Sequence, residues 1–393
     1  MYDVIVIGAG FAGSVIAREM ADFGKKVLML EKRGHVGGNM YEDLSPANIR
    51  VHRYGPHIFH TNSARVYNYL KRFSNWYAYT HRVLGKIEGK LVPIPFNFTS
   101  IEQLFSRKEA EKLQSELLNY LPKDARVSVF DLINHPKGII RDLGNFICEK
   151  VFINYSAKQW GISIEEIDKT TINRVPVVIG YDDKYFQDLI QMMPSDGFTS
   201  LITEILSHEN IDISLNINAK QLLRIDFDGN EVIFDNKKFN GMVFFTGAID
   251  ELMDYKFGIL PYRSLNLVFE DYPVEYYQSN SVINYPNEES FTRITEFKHF
   301  APTPASPPVK GTTILKEYPV DFVPNSIYEP LYPIISDKSA QIYAQYLNEI
   351  KKVDRLYLCG RLAEYKYYNM DSVILNALTL SDETKQYNCF NMY

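Results

Sequence analysis

The sequence predicts a mixed α/β protein of 393 residues, with a discontinuous parallel-sheet domain, a helical insertion domain and an antiparallel β-sheet domain. Three observations support this prediction. A β-branched run at 2–7 leads through a glycine-rich turn into a helix and a second strand, the pattern of a βαβ unit. Helical patterns dominate from about 100 to 160, and short β-rich runs dominate from about 173 to 335. A buried strand followed by a helix then returns near the end of the chain.

The elements follow in chain order. The first unit comprises a strand at 2–7, a helix at about 12–23 and a strand at 26–30. Helical segments are predicted at 101–120, 129–134 and 140–154. The β-rich runs are 175–180, 217–227, 230–235, 242–248, 262–270, 280–285, 292–300 and 312–320, with an amphipathic helix between them at 197–208. The last elements are a helix at 338–350, a strand at 355–360 and a helix at about 371–381.

These elements divide into three predicted domains. The parallel-sheet domain takes residues 1–75, 195–252 and 338–393. The helical insertion takes residues 99–160, and the antiparallel-sheet or substrate domain takes residues 76–98, 161–194 and 253–337. A chain of this length is expected to form two or three domains, because single cores rarely grow beyond roughly 250–300 residues.

Composition excludes several classes of function. The net charge of −6 disfavours binding to nucleic acid, and no stretch approaches the apolar length of a membrane span, so no membrane insertion is expected. Residues 1–7 lack the basic segment of a signal peptide. The three cysteines, Cys148, Cys359 and Cys389, are widely spaced without a CxxC pair. They indicate no metal site and favour a reducing, cytoplasmic location.

The glycine-rich turn carries the first chemical signal. Residues 8–13 (GAGFAG) form a complete GxGxxG between a strand and a helix. Gly8 permits the tight turn, Gly10 lets the backbone approach a pyrophosphate, and Gly13 allows close helix–strand packing. Glu31 ends the second strand at the spacing expected for an acceptor of ribose hydroxyl groups. The sequence therefore predicts a Rossmann-like dinucleotide-binding domain.

Later segments favour FAD over NAD as the dinucleotide. Arg33 and the paired glycines of 37–39 (GGN) follow Glu31 and resemble the FAD-binding pattern of amine-oxidase-like flavoproteins. Residues 243–247 (VFFTG) and the strand at 355–360 resemble two further segments of FAD-containing Rossmann proteins. The candidate FAD-binding residues are Gly8, Gly10, Phe11, Gly13, Glu31, Lys32, Gly38, Asn39, His57, Arg361, Tyr367 and Met370.

Short motifs spread along the chain carry a resemblance to one family. In order they are 55–61 (GPHIFHT), 157–161 (AKQWG), 173–177 (NRVPV), 181–186 (YDDKYF), 262–265 (YRSL), 292–296 (TRITE), 316–318 (KEY), 331–333 (LYP) and 360–367 (GRLAEYKY). The set resembles the prokaryotic UDP-galactopyranose mutases over nearly the whole chain. The resemblance implies a reaction without net redox change that nevertheless needs reduced FAD. Flavin N5 would attack the anomeric carbon and displace UDP, and the ring would open and reclose as the furanose through a covalent flavin–sugar adduct.

The resemblance also implies roles for individual residues. Arg174 and Arg293 match the family's two pyrophosphate arginines, a role that suits the guanidinium group because it can grip phosphate oxygens bidentately. The implied catalytic set is Arg174, Arg293, His57 and Trp160, and the implied substrate-binding set is Tyr155, Trp160, Arg174, Tyr185, Asn284, Arg293, Tyr332, Tyr367 and Asn369. Within the second set, Tyr155 corresponds to the aromatic residue that stacks on uracil. Because the family is often homodimeric, a homodimer is also implied, with its interface on the helical insertion.

Three departures from the family pattern leave the substrate open. Asn369 stands where the family usually has aspartate, Leu331 where it often has tyrosine, and Val178 where it often has arginine. A related mutase acting on UDP-N-acetylgalactosamine or a dTDP-deoxysugar therefore remains an alternative. An amine-oxidase-like FAD oxidoreductase is a second alternative, because fold does not determine function. A third is a non-catalytic nucleotide-sugar-binding protein that retains FAD.

Overall fold

The computed structural model describes residues 2–161, 175–301 and 310–390. In these residues the strands are β1 Val4–Ile7, β2 Val27–Leu30, β3 Glu42–Leu44, β4 Arg50–His52, β5 Phe59–Thr61, β6 Trp76–Ala78, β7 Val83–Ile87, β8 Lys90–Ile94, β9 Arg126–Val127, β10 Val177–Val178, β11 Ile190–Pro194, β12 Ile211–Ser214, β13 Leu223–Asp226, β14 Glu231–Phe234, β15 Lys237–Lys238, β16 Met242–Phe245, β17 Tyr262–Tyr272, β18 Val282–Asn284, β19 Arg293–Glu296, β20 Thr312–Asp321, β21 Tyr332–Pro333 and β22 Leu356–Leu358. The helices are α1 Phe11–Asp22, α2 Ala64–Leu70, α3 Phe98–Leu104, α4 Arg107–Tyr120, α5 Val129–Ile133, α6 Gly138–Ile147, α7 Asn154–Trp160, α8 Phe198–Leu206, α9 Ile249–Leu252, α10 Asp337–Ile350 and α11 Met370–Phe390.

A five-stranded parallel sheet forms the first layer, in the order β12–β2–β1–β16–β22. Its strands come from both ends and the middle of the chain, so the sheet is complete only when β22, near the end of the chain, has been added. All four residues of β1 are buried, as expected for a sheet covered on both faces. Val4 and Val6 belong to one hydrophobic core, and Ile5 and Ile7 to the other, because side chains alternate across a strand.

A seven-stranded sheet forms the second layer, in the order β21–β17–β20–β19–β18–β7–β8. Its neighbours are antiparallel except for β7 and β18, which run parallel. The register aligns Asn284 with Arg293 and Arg293 with Glu317 on three adjacent strands. Directly opposed residues share one face of a sheet, so these three polar side chains form a row.

Helices α3 to α7 lie between β8 and β10 in the chain. The segment 101–120, predicted as one helical stretch, is two helices, because Ser106 caps the second. Its hydroxyl accepts a hydrogen bond from the Glu109 N–H, and the Glu109 carboxylate accepts one from the Ser106 N–H. Within the described residues no helix is both long and apolar enough to cross a membrane.

The local predictions differ from the structure at further places, and the run 175–180 is a strand only at Val177–Val178. The run 292–300 is a strand only to Glu296 and then a 3₁₀ turn, Phe297–Phe300. The run 217–227 begins with a 3₁₀ turn, Ala219–Gln221, and becomes a strand at Leu223. The last helix extends to Phe390 instead of ending near 381.

Candidate functional site

A cleft of about 240 Å³ opens at the carboxyl ends of β1 and β2. Ligands bind at this edge of parallel α/β sheets, where helix N-termini and loops converge. Most of the residues that the sequence assigned to the cofactor line the cleft: Gly8, Gly10, Phe11, Glu31, Lys32, Gly38, Asn39, Arg361 and Met370.

In the glycine-rich turn, Gly8 and Gly10 line this cleft with backbone atoms, because they have no side chains. Gly8 has φ +100°, and a Cβ there would lie 2.1 Å from Thr246 Oγ1. A Cβ on Gly13 would lie 1.9 Å from the Gly8 carbonyl oxygen, so Gly13 serves helix packing behind the cleft. A Cβ on Gly10 would meet only the Gly38 Cα, at 3.8 Å. No other atom of the described residues lies within 4 Å of that position, which leaves room for a pyrophosphate against the backbone.

Glu31 connects the glycine turn to the end of β2. Its Oε2 accepts a hydrogen bond from the Ala9 N–H and its Oε1 accepts one from the Arg33 N–H, each at 2.8 Å. Each carboxylate oxygen can accept a second bond, so this buried group retains capacity for ribose hydroxyls. The cradle thus fits a dinucleotide.

The sequence did not identify Glu329, which closes the cleft on one side. Its carboxylate pairs with Lys32 Nζ at 2.9 Å and with an Arg33 Nη at 3.6 Å. Burial raises the pKa of Glu329, but Lys32 and Arg33 outweigh burial and the net pKa is lowered. Arg33 also stacks over the Tyr54 ring at 4.2 Å. These contacts join the loop after β2 to the loop before β21.

A second cavity, of about 540 Å³, lies on the seven-stranded sheet. Its lining includes the following predicted site residues: His57, Tyr155, Tyr185, Asn284, Arg293, Tyr332, Arg361, Tyr367, Asn369 and Met370. Arg361 and Met370 line both spaces, so the cavity and the cleft meet at these two residues.

Arg293, whose side chain is 25% exposed, supplies a positive charge at the cavity floor. Its Nε donates a hydrogen bond to Glu317 Oε1 at 2.6 Å, across the β19–β20 pair. Burial opposes the charge on Arg293, but Glu317 and Tyr155 outweigh burial, and the pKa is raised well above its ordinary value. Asn284 Oδ1, on the next strand, is buried without a hydrogen-bond partner among the described residues. The row therefore presents a fixed cation and an unused acceptor.

Aromatic hydroxyl groups and a second arginine form another wall. The rings of Tyr332 and Tyr367 stack at 5.7 Å, and the Arg361 guanidinium lies 5.2 Å and 5.4 Å from their centroids. The Arg361 Nη atoms donate to the Tyr368 carbonyl at 2.6 Å and the Leu331 carbonyl at 3.3 Å, which fixes the head group. Burial, and next Tyr367, raises the pKa of Tyr332, so its hydroxyl stays protonated and can donate. Two cations and several hydroxyl donors suit a diphosphate.

Three histidines face the cavity, two of which the sequence did not assign. His60 Nδ1 lies 2.7 Å from Asp188 Oδ2, and its ring stacks on Phe186 at 3.7 Å. Burial, and then Arg293, lowers the pKa of His81 to about 3. Burial lowers the pKa of His57 well below its ordinary value, with further contributions from His52 and Arg361. Both rings are therefore neutral at pH 7.

The buried His81 makes acid sensitivity a test of this cavity. The folded pKa of about 3 lies below the ordinary value near 6.5, so stability is lost as the pH falls below about 6.5. Between pH 7 and pH 5 this histidine lowers the free energy of unfolding by about 2 kcal/mol. In His81→Phe, which keeps an aromatic ring beside Tyr185, that pH-dependent loss should shrink by about this amount. Urea unfolding at the two pH values, without nucleotide, measures it.

His299→Phe is the control of opposite sign. Burial opposes the charge on His299, but Glu296 and the Gln278 carbonyl outweigh burial and raise its pKa. A raised pKa stabilises the fold below the unfolded value, and this stabilisation disappears as the pH rises. His299→Phe should therefore be more sensitive to acid than the parent protein. An unchanged acid response in His81→Phe would contradict the neutral, buried state of His81.

Arg174 and the side chain of Trp160 lie outside the described residues. Of the three departures from the family pattern, Asn369 lines the cavity, whereas Leu331 lines the cleft. Val178 is buried in the short pair of β9 and β10 and lines neither space.

Comparison with known proteins agrees with this geometry. A family model described as UDP-galactopyranose mutase matches residues 150–367, more than half of the chain, and one described as an NAD(P)-binding Rossmann-like domain matches residues 6–73. The UDP-galactopyranose mutase of Mycoplasma pneumoniae is 32% identical over 390 residues, which cover 98% of this chain and 96% of the relative. A dTDP-fucopyranose mutase of Escherichia coli is 33% identical over 386 residues, 96% and 97% of the two chains.

The fold has a matching solved structure. A crystal structure of reduced UDP-galactopyranose mutase covers 98% of this chain and 94% of its own, with a TM-score of 0.69 and 16% identity. The prediction of a mixed α/β fold with a Rossmann-like domain is confirmed. The chain belongs to the UDP-galactopyranose mutase family and is a flavin-dependent enzyme of the isomerase class.

Proposed function

We propose that this enzyme interconverts UDP-galactopyranose and UDP-galactofuranose, with FAD as its cofactor and the reduced form active. One observation carries the proposal: a cavity with two arginines and several tyrosines opens directly onto the dinucleotide cleft, at Arg361 and Met370. A redox flavoenzyme acting on an amine has no need for such a diphosphate grip. The reduced flavin, when bound, supplies the N5 nucleophile for the covalent bond to the sugar that the family resemblance implies.

The residues of the chain bind and orient the nucleotide sugar. Arg293 and Arg361 neutralise the diphosphate both while it is attached to the sugar and after it has left as UDP. This charge neutralisation favours departure of the UDP and keeps it in place to attack the sugar again. Hydroxyl groups donate to the phosphate oxygens without adding charge, in the roles assigned to Tyr185, Tyr332 and Tyr367. The wall at Tyr155 offers a ring for the uracil base. Holding sugar and cofactor together converts a bimolecular reaction into a nearly unimolecular one.

The test uses purified protein with its flavin. Dithionite-reduced enzyme is incubated with UDP-galactofuranose, and the pyranose is quantified by chromatography beside an oxidised sample. Turnover in the reduced sample alone is the expected result. Reduction of the flavin by the substrate without isomerisation would instead establish the oxidoreductase alternative. Binding of the nucleotide sugar with neither outcome would establish the non-catalytic alternative.

A second candidate function is a mutase for another nucleotide sugar. Two observations favour it: the dTDP-fucopyranose mutase relative matches almost the whole chain, and Asn369 puts a neutral amide in the cavity where the family has a carboxylate. A panel of UDP-galactose, UDP-N-acetylgalactosamine and dTDP-deoxysugars distinguishes the two. The highest kcat/KM identifies the substrate.

We also propose roles for two residues whose side chains the structure does not describe, and we propose the domain organisation, oligomeric state and location of the protein. Arg174 is a further diphosphate arginine beside Arg293 and Arg361, and Trp160 lies near the sugar. The three-domain division of the sequence, a homodimer and a cytoplasmic location belong to the same proposal. Sedimentation of the purified protein measures the oligomeric state.

A further inference from the structure

A buried acid–histidine pair lies directly behind the cavity. His52 Nε2 is 3.0 Å from Glu42 Oε1, and the side chains are only 4% and 3% exposed. The other side of the imidazole ring meets the backbone, where the His57 N–H donates a hydrogen bond to His52 Nδ1 at 2.9 Å. The proposed chemistry uses neither Glu42 nor His52.

The hydrogen bonds determine which ring nitrogen of His52 carries the proton. A backbone N–H can only donate, so Nδ1 must be the acceptor and carry no hydrogen. The proton is therefore on Nε2 and is donated to Glu42. Glu42 is held in turn, because its Oε2 accepts from the Phe198 N–H at 2.8 Å, at the start of α8. Gly197, with φ +85°, leaves room for this oxygen, since a Cβ there would lie 2.1 Å from it.

We propose that His52 is a positioning residue, which holds the turn 55–57 against the cavity through the backbone of His57. Pro56 and His57 both line that cavity. In a planar trans peptide the N–H and the preceding carbonyl point in opposite directions, so the bond to His52 also orients the Pro56 carbonyl away from His52. Among the described residues nothing lies within 4 Å of a Cβ added to Gly55, at φ +95°, so side-chain packing at this position does not hold the turn.

A purely structural role for the pair makes a different prediction. Glu42 binds the N-terminus of α8, so the function of His52 could end at keeping that carboxylate in place. In that case only the Nε2 side of the ring matters. If the inference is right, the bond at Nδ1 also fixes the position of the turn 55–57 at the cavity. The two sides can be separated by substitution.

The experiment compares two amides that each keep one side of the ring. Asparagine presents its oxygen near the position of Nδ1 and so retains an acceptor for the His57 N–H, but it cannot reach Glu42. Glutamine presents its nitrogen near the position of Nε2 and retains the donor to Glu42. Both variants are prepared with flavin bound. The visible spectrum and reduction potential of the flavin, kcat, KM and the thermal midpoint are measured.

We expect His52→Asn to keep the flavin spectrum and potential of the parent protein, with kcat within about threefold of the parent value. His52→Gln should shift both flavin properties and lower kcat at least about tenfold, with little change in KM, because a misplaced turn impairs orientation more than affinity. The reverse order, equal losses in both variants or parent-like behaviour of His52→Gln would overturn the inference.

Only the kcat comparison depends on the proposed function. The flavin measurements do not, so they test this inference separately. If no mutase activity exists, the spectrum and potential still compare the two variants. If either variant fails to fold, ring ¹⁵N NMR of the parent protein tests the premise. The bond from the His57 N–H requires a His52 that carries its proton on Nε2, and a proton on Nδ1 would overturn the inference.

Discussion

Arg293→Ala is expected to lower kcat/KM by about thirtyfold to a few thousandfold while the flavin stays bound, because truncating one partner of a hydrogen-bonded charge pair at a binding interface costs about 2–5 kcal/mol. Arg293 lies on the floor of the second cavity and is absent from the lining of the cleft. Its loss should therefore weaken the proposed diphosphate grip without touching the cofactor cradle. Turnover of reduced enzyme and the ratio of flavin absorbance to protein measure the two effects.

The same substitution has a structural cost that needs its own control. Glu317 is fully buried, and without Arg293 its carboxylate has lost its cation, a loss of about 3–5 kcal/mol in stability. Replacing both members, as in Arg293→Met with Glu317→Leu, removes the stranded charge, and such exchanges are often neutral for stability. The double variant should regain the thermal midpoint but not turnover. Parent-like activity in either variant would show that Arg293 does not bind the diphosphate.

Local patterns predicted the parallel sheet well because each element carries its own signal. The strand predicted at 26–30 is Val27–Leu30, and the helix predicted at 12–23 is Phe11–Asp22. The assignment of Glu31 followed from its position at the end of a strand. The structure adds that its carboxylate also binds two backbone N–H groups, which a one-dimensional motif cannot express.

The residues that the sequence missed depend on pairing between distant segments. Glu317 lies 24 residues from Arg293, and only the register of β19 and β20 brings them together. Glu329 meets Lys32 across almost 300 positions of the chain. His81 is a lone histidine in a polar stretch, and nothing local distinguishes it from a surface residue. The strand β12, Ile211–Ser214, has two exposed residues and lies at the sheet edge, so its pattern is weak.

Misassigned strands have a related cause. Phe297–Phe300 (FKHF) continues the β-rich run with a phenylalanine at each end, yet it turns because Phe297 and Phe300 pack against the buried ring of His52. A 3₁₀ turn brings residues i and i+3 to one side, whereas a strand would send them to opposite faces. Tertiary packing here outweighs β propensity, which is weak and dependent on context.

Gly10→Ala is expected to weaken flavin binding by about tenfold to a hundredfold, since an extra methyl group in a packed contact costs about 1–3 kcal/mol. The added Cβ would meet the protein only at Gly38 Cα, an ordinary contact at 3.8 Å, and Gly10 has φ −80°, which alanine adopts without strain. The protein without cofactor should therefore unfold at the parent temperature. Flavin titration of the stripped protein and its thermal midpoint test both statements.

Gly13→Ala, in the same motif, distinguishes cofactor contact from fold packing. Its Cβ would lie 1.9 Å from the Gly8 carbonyl oxygen and 3.1 Å from a methyl group of Val6, so the helix would have to move away from β1. This variant should lose stability even without cofactor, whereas Gly10→Ala should lose only affinity. Equal stability losses in the two stripped proteins would mean that Gly10 serves packing. Full flavin affinity in Gly10→Ala would show that the added methyl group displaces no part of the cofactor. The pyrophosphate would then lie elsewhere.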